Sequence, residues 1–369
     1  MLLDMRYNPT MKQPYMPSPE EFLRAAGDDA GQPAVYQSEQ PAEVPEPPRR
    51  KRRIWSWVLG VLGLLVATAI IYILFILTRI SAHPFDWQPL ETDADGRVNV
   101  LVMGYGDPGH AGADLSDTNL VISVDTKTNR AAMISLPRDM RVQIPGHGYA
   151  KLNQAHSIGG AELARQTVSQ TLGIPIQYYV ETNFAGFSQM VDAVGGLDIN
   201  VAQALSDPEY PCDDNQYKSC GLSIPAGQQH TDGATTLKYV RCRKGTCGND
   251  FGRAERQQQV ITELIQQVLQ PRHLLNPVTM TNLAAAITQN VKTDMSVNQM
   301  LQFGYAFRKA TKLPVINIVF STSLGGYLVS APGSSDLLPV GGTYNVIQEY
   351  VQTIFTTSTT TPPLPSVKP

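Results

Sequence analysis

The sequence predicts an α/β protein, a three-layer α/β/α sandwich with a mixed sheet, preceded by one transmembrane helix. Three observations support this prediction. A stretch of 24 residues at 54–77 is apolar and uncharged, strand-like and helix-like patterns alternate through residues 97–355, and both ends of the chain are polar and Pro-rich. Such alternation is typical of a sheet that is covered by helices on both faces.

The apolar stretch is long enough to span a membrane. About 20 apolar residues in a helix cross the hydrocarbon core, whereas a cleavable signal peptide has an apolar core of roughly 7–15 residues. The basic run RRKRR at 49–53 precedes the stretch, and only Arg79 follows it closely. The positive-inside rule therefore predicts an uncleaved signal anchor at 54–78, in a single-pass type II protein of the cell membrane whose larger part is extracellular.

Composition divides the rest of the chain. Residues 1–53 contain nine prolines and no sustained apolar period, which predicts a disordered cytoplasmic tail. We expect an extracellular stem at 79–96, a catalytic domain at 97–355 and a second disordered tail at 356–369. The net charge of −3 provides no basic field for nucleic acid, and the cytoplasmic tail offers no DNA-binding fold.

The first elements of the domain are strands. Residues 97–103 alternate and are β-rich, and a Gly-rich loop follows at 104–116. Residues 119–124 form an apolar run typical of a buried strand, the turn residues at 126–129 predict a hairpin, and 131–136 is the returning strand.

Helices then alternate with strands. A short strand at 141–144 is followed by a helix at 161–172, a strand at 176–180, a helix at 184–194 and a strand at 197–201, with Gly or Pro punctuating most of these boundaries. The later pattern predicts these further elements: helix 231–238 leading into strand 239–241, amphipathic helix 254–269, helices near 278–289 and 296–309, strand 315–320 and helix 343–355.

All four cysteines lie in the predicted extracellular part. An even number of cysteines in an oxidising compartment predicts disulfides, and four cysteines allow three pairings. The local pairing, Cys212–Cys220 with Cys242–Cys247, is preferred because each pair lies in one loop. A zinc site is the less favoured alternative, because the spacings lack the usual C-x₂-C knuckle.

Charged residues cluster at the predicted ends of strands and at one helix start. Asp117 precedes a buried strand, Arg138 follows a strand, and Lys151 lies in a loop. The densest charged stretch combines a strand and a helix. On a strand, Arg241 and Arg243 would project to one face; Arg253, Arg256 and Gln257 would share one helix face, and Asp250 could cap that helix.

Arginines that converge in this way would bind a phosphorylated ligand. A guanidinium group donates two parallel hydrogen bonds to phosphate oxygens, and the positive end of a helix dipole at its N-terminus also attracts the anion. Nearby carboxylates would repel the anion unless Mg²⁺ bridged them, so the pattern fits a pyrophosphate–Mg²⁺ site for phosphoryl transfer. Ordinary surface ion pairing, worth ~0–1 kcal/mol per pair, explains the charges equally well at this point.

The exact strings of the domain resemble those of the LytR-CpsA-Psr family. The resemblance covers residues 97–355 and the preceding anchor, and it rests on NVLVMG, LSDTN, SLPRDM, GYAKLN, GIPIQYYV, VDAVGGLDINV, AGQQHTDGATTLKYVRCR and NDFGRAERQQQ. It implies an α/β/α sandwich with an apolar pocket for a polyprenyl chain. It also implies transfer of a glycopolymer from a polyprenyl (undecaprenyl) pyrophosphate carrier to peptidoglycan or another envelope acceptor, with Mg²⁺ as cofactor and Mn²⁺ as a substitute.

The resemblance also assigns roles to the charged residues. Asp117 and Asp107 would bind the metal, and Asp250 would deprotonate or position the acceptor hydroxyl, acting with Arg241, Arg243 and Arg253 as the catalytic set. The pyrophosphate would be held by Arg138, Lys151, Arg241, Arg243, Arg253, Arg256 and Gln257. Leu115 stands where many members have arginine, and Gly106 stands where the first family carboxylate usually lies, with Asp107 one residue further on.

Two other functions remain open from the sequence. The same site could hydrolyse the lipid-linked pyrophosphate with water as acceptor. The chain could also be a membrane-bound transcriptional attenuator, although residues 1–53 offer only a disordered tail for that task. The six histidines are scattered, and we assign none of them a functional role.

Overall fold

The computed structural model describes residues 57–64, 67–68, 71, 88–107, 112–212, 218–322 and 326–356. The predicted signal anchor and both predicted tails lie largely outside these residues, as does the first half of the stem. Residues 57–64, 67–68 and 71 are helical. Within the described ranges, no helix combines the length and apolar character needed to cross a membrane.

The described strands of the domain form one large sheet and several two-stranded sheets. Their bounds are β1 Arg97–Tyr105, β2 Ser116–Asp125, β3 Arg130–Ser135, β4 Arg141–Ile144, β5 Gly148–Lys151, β6 Tyr178–Asn183, β7 Leu197–Val201, β8 Leu205–Asp207, β9 Leu222–Ile224, β10 Gly227–Thr231, β11 Val291–Thr293, β12 Ile316–Val319, β13 Leu328–Ser330 and β14 Leu337–Pro339. The large sheet has six strands in the order β11-β6-β1-β2-β3-β12. It is mixed, because β1 pairs with β6 and β3 with β12 in parallel, while the other pairs are antiparallel.

Helices cover both faces of this sheet. Their bounds are α1 Gln154–Leu172, α2 Phe184–Ala193, α3 Gly233–Arg241, α4 Asp250–Val268, α5 Pro271–Leu274, α6 Pro277–Asn290, α7 Val297–Ala310 and α8 Asn345–Thr353. Side chains of α1 and α8 pack with Leu101 and Ile134 on one face. Side chains of α4 and α7 pack with Val100 and Ile122 on the other, so the predicted three layers are present.

Most strands of the large sheet begin or end along one edge, which is formed by strand ends and not by an outer strand. The register pairs Gly104 near the end of β1 with Thr118 near the start of β2 and with Thr182 near the end of β6. Ser135 at the end of β3 pairs with Val319 at the end of β12. The loops that carry the predicted functional residues therefore leave from the same edge.

A smaller apolar cluster lies beside α4. It joins residues of α2, of the two-stranded β7–β10 sheet and of α3 to the buried Cys242 and Cys247. Both predicted disulfides are present, Cys212–Cys220 and Cys242–Cys247. The zinc alternative is wrong for these residues, because sulfurs joined in a disulfide have no thiolate with which to bind the metal.

The predicted strand at 239–241 is wrong. These residues form the last turn of α3, which Asp232 caps by accepting a hydrogen bond from Thr235 N. Thr236, Tyr239 and Val240 are buried and lie on one helix face at the i, i+3, i+4 spacing. This burial outweighs the β-preference of Tyr and Val, so Arg241 ends a helix and does not share a strand face with Arg243.

The start of α4 also differs from the prediction. The helix begins at Asp250 rather than at 254, and Asn249 is its cap. The side chain of Asn249 accepts hydrogen bonds from the backbone N–H groups of Phe251 and Gly252. Asp250 is therefore the first residue of the helix and leaves its carboxylate for other partners, where the negative charge is favoured by the helix dipole.

Two other boundaries moved. Helix α1 begins at Gln154, seven residues before the predicted start at 161, and its first turns are interrupted at Gly159 and Gly160, where Gly160 has φ 67°. Strand β6 runs from Tyr178 to Asn183, later than the predicted 176–180. The hairpin turn between β2 and β3 is as predicted, with Asn129 at φ 55°, a left-handed conformation that Asn tolerates.

Candidate active site

A cleft lies at the sheet edge between β2, β3 and the start of α4. It is narrow and partly open to solvent, and it is lined by Asp117, Thr118, Asn119, Ser135, Leu136, Pro137, Arg138, Asp250, Phe251, Arg253, Ala254, Gln257 and Val319. Five predicted site residues therefore share one cleft, namely Asp117, Arg138, Asp250, Arg253 and Gln257.

One wall of this cleft is an ion pair between Asp117 on β2 and Arg138 in the loop after β3. Arg138 Nη1 donates to Asp117 Oδ1 at 2.6 Å, and both side chains are about one quarter to one third exposed. Burial acts to lower the pKa of Arg138, but its hydrogen bond to Asp117 and the negative charges of Asp117, Asp139 and Asp250 raise it overall. Arg138 is therefore a permanent cation at the cleft.

The opposite wall comes from the first turn of α4. Arg253 Nη1 lies 3.4 Å from Asp250 Oδ1, and the Arg253 side chain is only 11% exposed. Burial lowers the pKa of Arg253, and the positive charges of Arg138 and Arg243 lower it further against the attraction of Asp250 and Asp117. Within the described part of the chain, the Arg253 guanidinium makes this one ion pair and no further side-chain hydrogen bond. A buried guanidinium with unused donors favours an anion in the cleft.

Lys151 is linked to the cleft through a carboxylate that the sequence analysis did not assign. Lys151 Nζ donates to Asp139 Oδ1 at 2.7 Å, and Asp139 Oδ2 lies 3.7 Å from Arg138 Nε. Lys151 also contacts Ser335 Oγ at 2.6 Å and lies 3.8 Å from Asp336 Oδ1. Lys151 therefore supports Arg138 through Asp139 and does not line the cleft itself.

Arg241 and Asp107 each contact the start of α2. Arg241 Cζ lies 4.3 Å from the centre of the Phe184 ring, a cation–π distance. Asp107 Oδ1 accepts a hydrogen bond from Ala185 N at 3.1 Å. Neither residue lines the cleft described above. The register nevertheless pairs Tyr105, two residues before Asp107, with Ser116, the neighbour of Asp117.

Arg256 is held away from the cleft. Its Nε donates to Tyr239 O at 2.9 Å and its Nη1 to Cys247 O at 2.9 Å, and its Nη2 donates to Cys242 O. All three carbonyls belong to the end of α3 and the loop closed by the Cys242–Cys247 disulfide. Arg256 therefore fixes this loop, which carries the exposed Arg243, whose backbone N–H donates to Asp207 at 3.4 Å.

The oxygen atoms of the cleft fit a hard divalent cation. Asp117 and Asp250 supply carboxylates. Asn119, one residue beyond Thr118 on β2, lines the same cleft, and among the described residues its buried Oδ1 has no hydrogen-bond partner. Mg²⁺ is usually held by one or two carboxylates together with phosphate oxygens and water, and the amide oxygen of Asn119 is a weaker additional ligand.

Fold and site together define a class, an α/β protein whose sheet edge holds a cleft lined by arginines and aspartates. The chain belongs to the LytR-CpsA-Psr family. The LytR_cpsA_psr family model matches residues 79–329, and this range includes every residue of the cleft.

Similar proteins carry names from wall polymer attachment. The chain is 31% identical over 275 residues to a polyisoprenyl-teichoic acid–peptidoglycan teichoic acid transferase, TagU, of Bacillus cereus, covering 71% of this chain and 86% of that protein. It resembles the crystal structure of Bacillus subtilis TagV with a TM-score of 0.56 at 25% identity, covering 72% of this chain and 99% of that one. It resembles a structure of TagT bound to LI-WTA with a TM-score of 0.54 at 26% identity, covering 73% and 94%.

Proposed function

We propose that this chain is an enzyme of the cell envelope that transfers a glycopolymer of the teichoic-acid class from a polyprenyl (undecaprenyl) pyrophosphate carrier to peptidoglycan. The donor and acceptor classes follow the names of relatives that are about 30% identical over most of their length. The observation that supports the chemistry in this chain is Arg253, a guanidinium that is buried in a cleft beside Arg138 with most of its donors unused.

The residues of the cleft and of its surroundings have different roles in phosphoryl transfer. Arg138 and Arg253 hold the phosphate oxygens from two sides, with Gln257 on the next turn of α4. Arg243 and Arg241 add positive charge from the adjacent loop and from the end of α3. Such prearranged cations stabilise the charge that develops on the transferring phosphoryl group.

Asp250 is placed to act on the acceptor. An acceptor hydroxyl oxygen would attack the phosphorus of the phosphate linked to the glycan. The bond from that phosphorus to the bridging oxygen would break, and polyprenyl phosphate would leave with the bond electrons. Asp250, at the start of α4, would take the proton of the hydroxyl, and its ion pair with Arg253 keeps its carboxylate close to the reacting phosphate.

Asp117 is the main candidate ligand for Mg²⁺, with Asp107 as the second carboxylate of the predicted pair. When bound, Mg²⁺ would neutralise pyrophosphate charge, a task that is larger here because Leu115 replaces the arginine of many relatives. Asp107 now accepts a backbone hydrogen bond at the start of α2, so its share of the metal should be smaller than that of Asp117.

Residues 54–78 would anchor this enzyme in the cell membrane as a single-pass type II protein, with the domain at 97–355 extracellular, the stem at 79–96 and tails at 1–53 and 356–369. The basic run before the apolar stretch supports this orientation. Protease added to intact cells should digest the domain and spare the amino-terminal tail; an inaccessible domain would contradict it.

The decisive experiment supplies a lipid pyrophosphate-linked glycopolymer and a peptidoglycan acceptor to the purified chain with Mg²⁺. Polymer covalently attached to peptidoglycan, with release of polyprenyl phosphate, is the expected result. Release of free polymer at the same rate with and without peptidoglycan would instead identify a hydrolase. Arg272→Ala, which removes an exposed arginine on α5, is the control for a general loss of charge.

A further inference from the structure

A buried histidine–carboxylate pair lies behind the loop that joins β1 to β2. His156 is in the first turn of α1, and Glu181 is on β6. His156 Nε2 lies 2.7 Å from Glu181 Oε2, with side-chain exposures of 12% and 4%. The transfer mechanism proposed above uses neither residue.

The same ring also contacts both ends of that loop. His156 Nδ1 lies 2.8 Å from the backbone oxygen of Asp114, three residues before Asp117. Tyr105, the last residue of β1, stacks on the ring with the centroids 5.3 Å apart and the planes at 25°. His156 therefore joins the point where the chain leaves β1 to the point where it approaches β2.

The partners fix the protons on the ring. A backbone carbonyl can only accept, so Nδ1 must donate to Asp114. Lys292 Nζ lies 3.3 Å from the other oxygen of Glu181, and this cation favours the ionised carboxylate, which also accepts. Both ring nitrogens consequently donate, and His156 is an imidazolium.

The surrounding charges agree with this assignment. The hydrogen bond that His156 donates to Glu181 raises the pKa of His156 against the effect of burial, and the positive charge of Lys292 acts in the opposite direction. Burial acts to raise the pKa of Glu181, but His156 and Lys292 lower it overall.

We propose that His156 is a positioning residue for the metal-binding aspartate: its Nδ1–H holds the Asp114 carbonyl and so fixes the approach to β2 that presents Asp117, while Glu181 orients the ring. The effect on transfer rests on the proposed function. The effect on the loop does not, because it follows from contacts within the metal-free protein.

Two amide variants separate the two hydrogen bonds. The amide of Asn lies close to the place of His Nδ1, and the amide of Gln lies close to the place of His Nε2. His156→Asn should therefore keep the bond to Asp114, whereas His156→Gln should keep only the bond to Glu181. His147→Gln, at an exposed histidine in the β4–β5 turn, is the matched control.

Hydrogen exchange reads out the loop directly. The amides of Leu115 and Ser116 donate to Gly112 O and Asn153 O, and loss of one neighbouring hydrogen bond should speed their exchange roughly tenfold. We expect this acceleration in His156→Gln and not in His156→Asn or His147→Gln. The concentration of Mg²⁺ that gives half-maximal transfer should rise several-fold in His156→Gln alone.

Equal exchange in the Asn and Gln variants would overturn the proposal. If His156→Gln does not fold, Glu181→Gln takes its place, because it leaves the ring but removes its carboxylate; unchanged exchange at Leu115 and Ser116 in that variant would also overturn it. If wild-type protein transferred no polymer while the exchange pattern held, the proposed function would fail and the positioning role would stand.

Discussion

The cleft and the disulfide-closed loop beside it use the same residue type in opposite ways. Arg253 and Arg256 lie three residues apart on α4, and both are largely buried. The guanidinium of Arg253 faces the cleft with one ion pair, whereas that of Arg256 donates to three backbone carbonyls of the adjacent loop. Burial of an arginine therefore does not identify a ligand site; the use of its donors does.

The largest effect on transfer is expected at the proposed metal ligands. Asp117→Asn should abolish Mg²⁺-dependent transfer, because the neutral amide binds the cation weakly. Asp107→Asn should weaken transfer less, since Asp107 already accepts a hydrogen bond from Ala185. Titration of Mg²⁺ against transfer in both variants and in Leu115→Arg measures this. Full activity of Asp117→Asn, or no effect of EDTA, would refute the metal assignment.

Arg253→Ala is expected to lower transfer by roughly 10²–10³, the effect of removing one electrostatic contact to a transition state. Its thermal midpoint should stay close to that of the wild type, because Arg253 supports no backbone group in the described residues. Turnover and thermal unfolding measured on the same sample test both halves. The comparison fails if the variant unfolds at a much lower temperature and keeps its rate.

Arg256→Ala should show the reverse pattern. It leaves the carbonyls of Tyr239, Cys242 and Cys247 without their charged donor, which should cost about 2–4 kcal/mol of unfolding free energy. Urea unfolding gives this value, and Arg272→Ala provides the exposed control. Unchanged stability with lost activity would return Arg256 to the ligand-binding set that the sequence predicted.

The smallest effect concerns pH and the pair behind the cleft. The raised pKa of His156 contributes stability that is complete below its unfolded value of about 6.5 and is lost as pH rises through the folded pKa. The lowered pKa of Glu181 contributes stability above its unfolded value of about 4.3 and loses it as pH falls through the folded pKa. The difference in unfolding free energy between wild type and His156→Gln should therefore be greatest between about pH 4.5 and 6.5. Urea unfolding at several pH values measures it. A difference that does not vary with pH would argue against the ion pair.

The sequence predicted the layers of the fold and part of the site. Alternating patterns located the central strands, and the strings around Asp117, Arg138 and Arg253 correctly placed these residues together. Residues 239–241 were predicted as a strand because the first two prefer β-structure. They form the last turn of helix α3 because the same two residues lie on its buried face, which only the packing of α3 reveals.

Long-range partners could not be found in this way. Arg256 was predicted to bind the pyrophosphate because helix spacing puts it near Arg253. Its carbonyl partners, however, depend on the conformation of the loop closed by the Cys242–Cys247 disulfide. His156 carried no local signal at all, since Glu181 and Asp114 are far from it in the chain. Asp139 was visible beside Arg138, but its contact with Lys151 required the β4–β5 hairpin.

The order of strands in the large sheet has a consequence for how the chain assembles. Strands β1, β2 and β3 pair as consecutive neighbours, β6 then joins the open side of β1, β11 joins β6, and β12 joins β3. Each later strand adds to an edge that already exists, and none must be inserted between two earlier ones. A chain delivered amino end first can therefore build the sheet outward from its centre without breaking a formed ladder. Each inner strand then has an unpaired edge only until its outer neighbour is added.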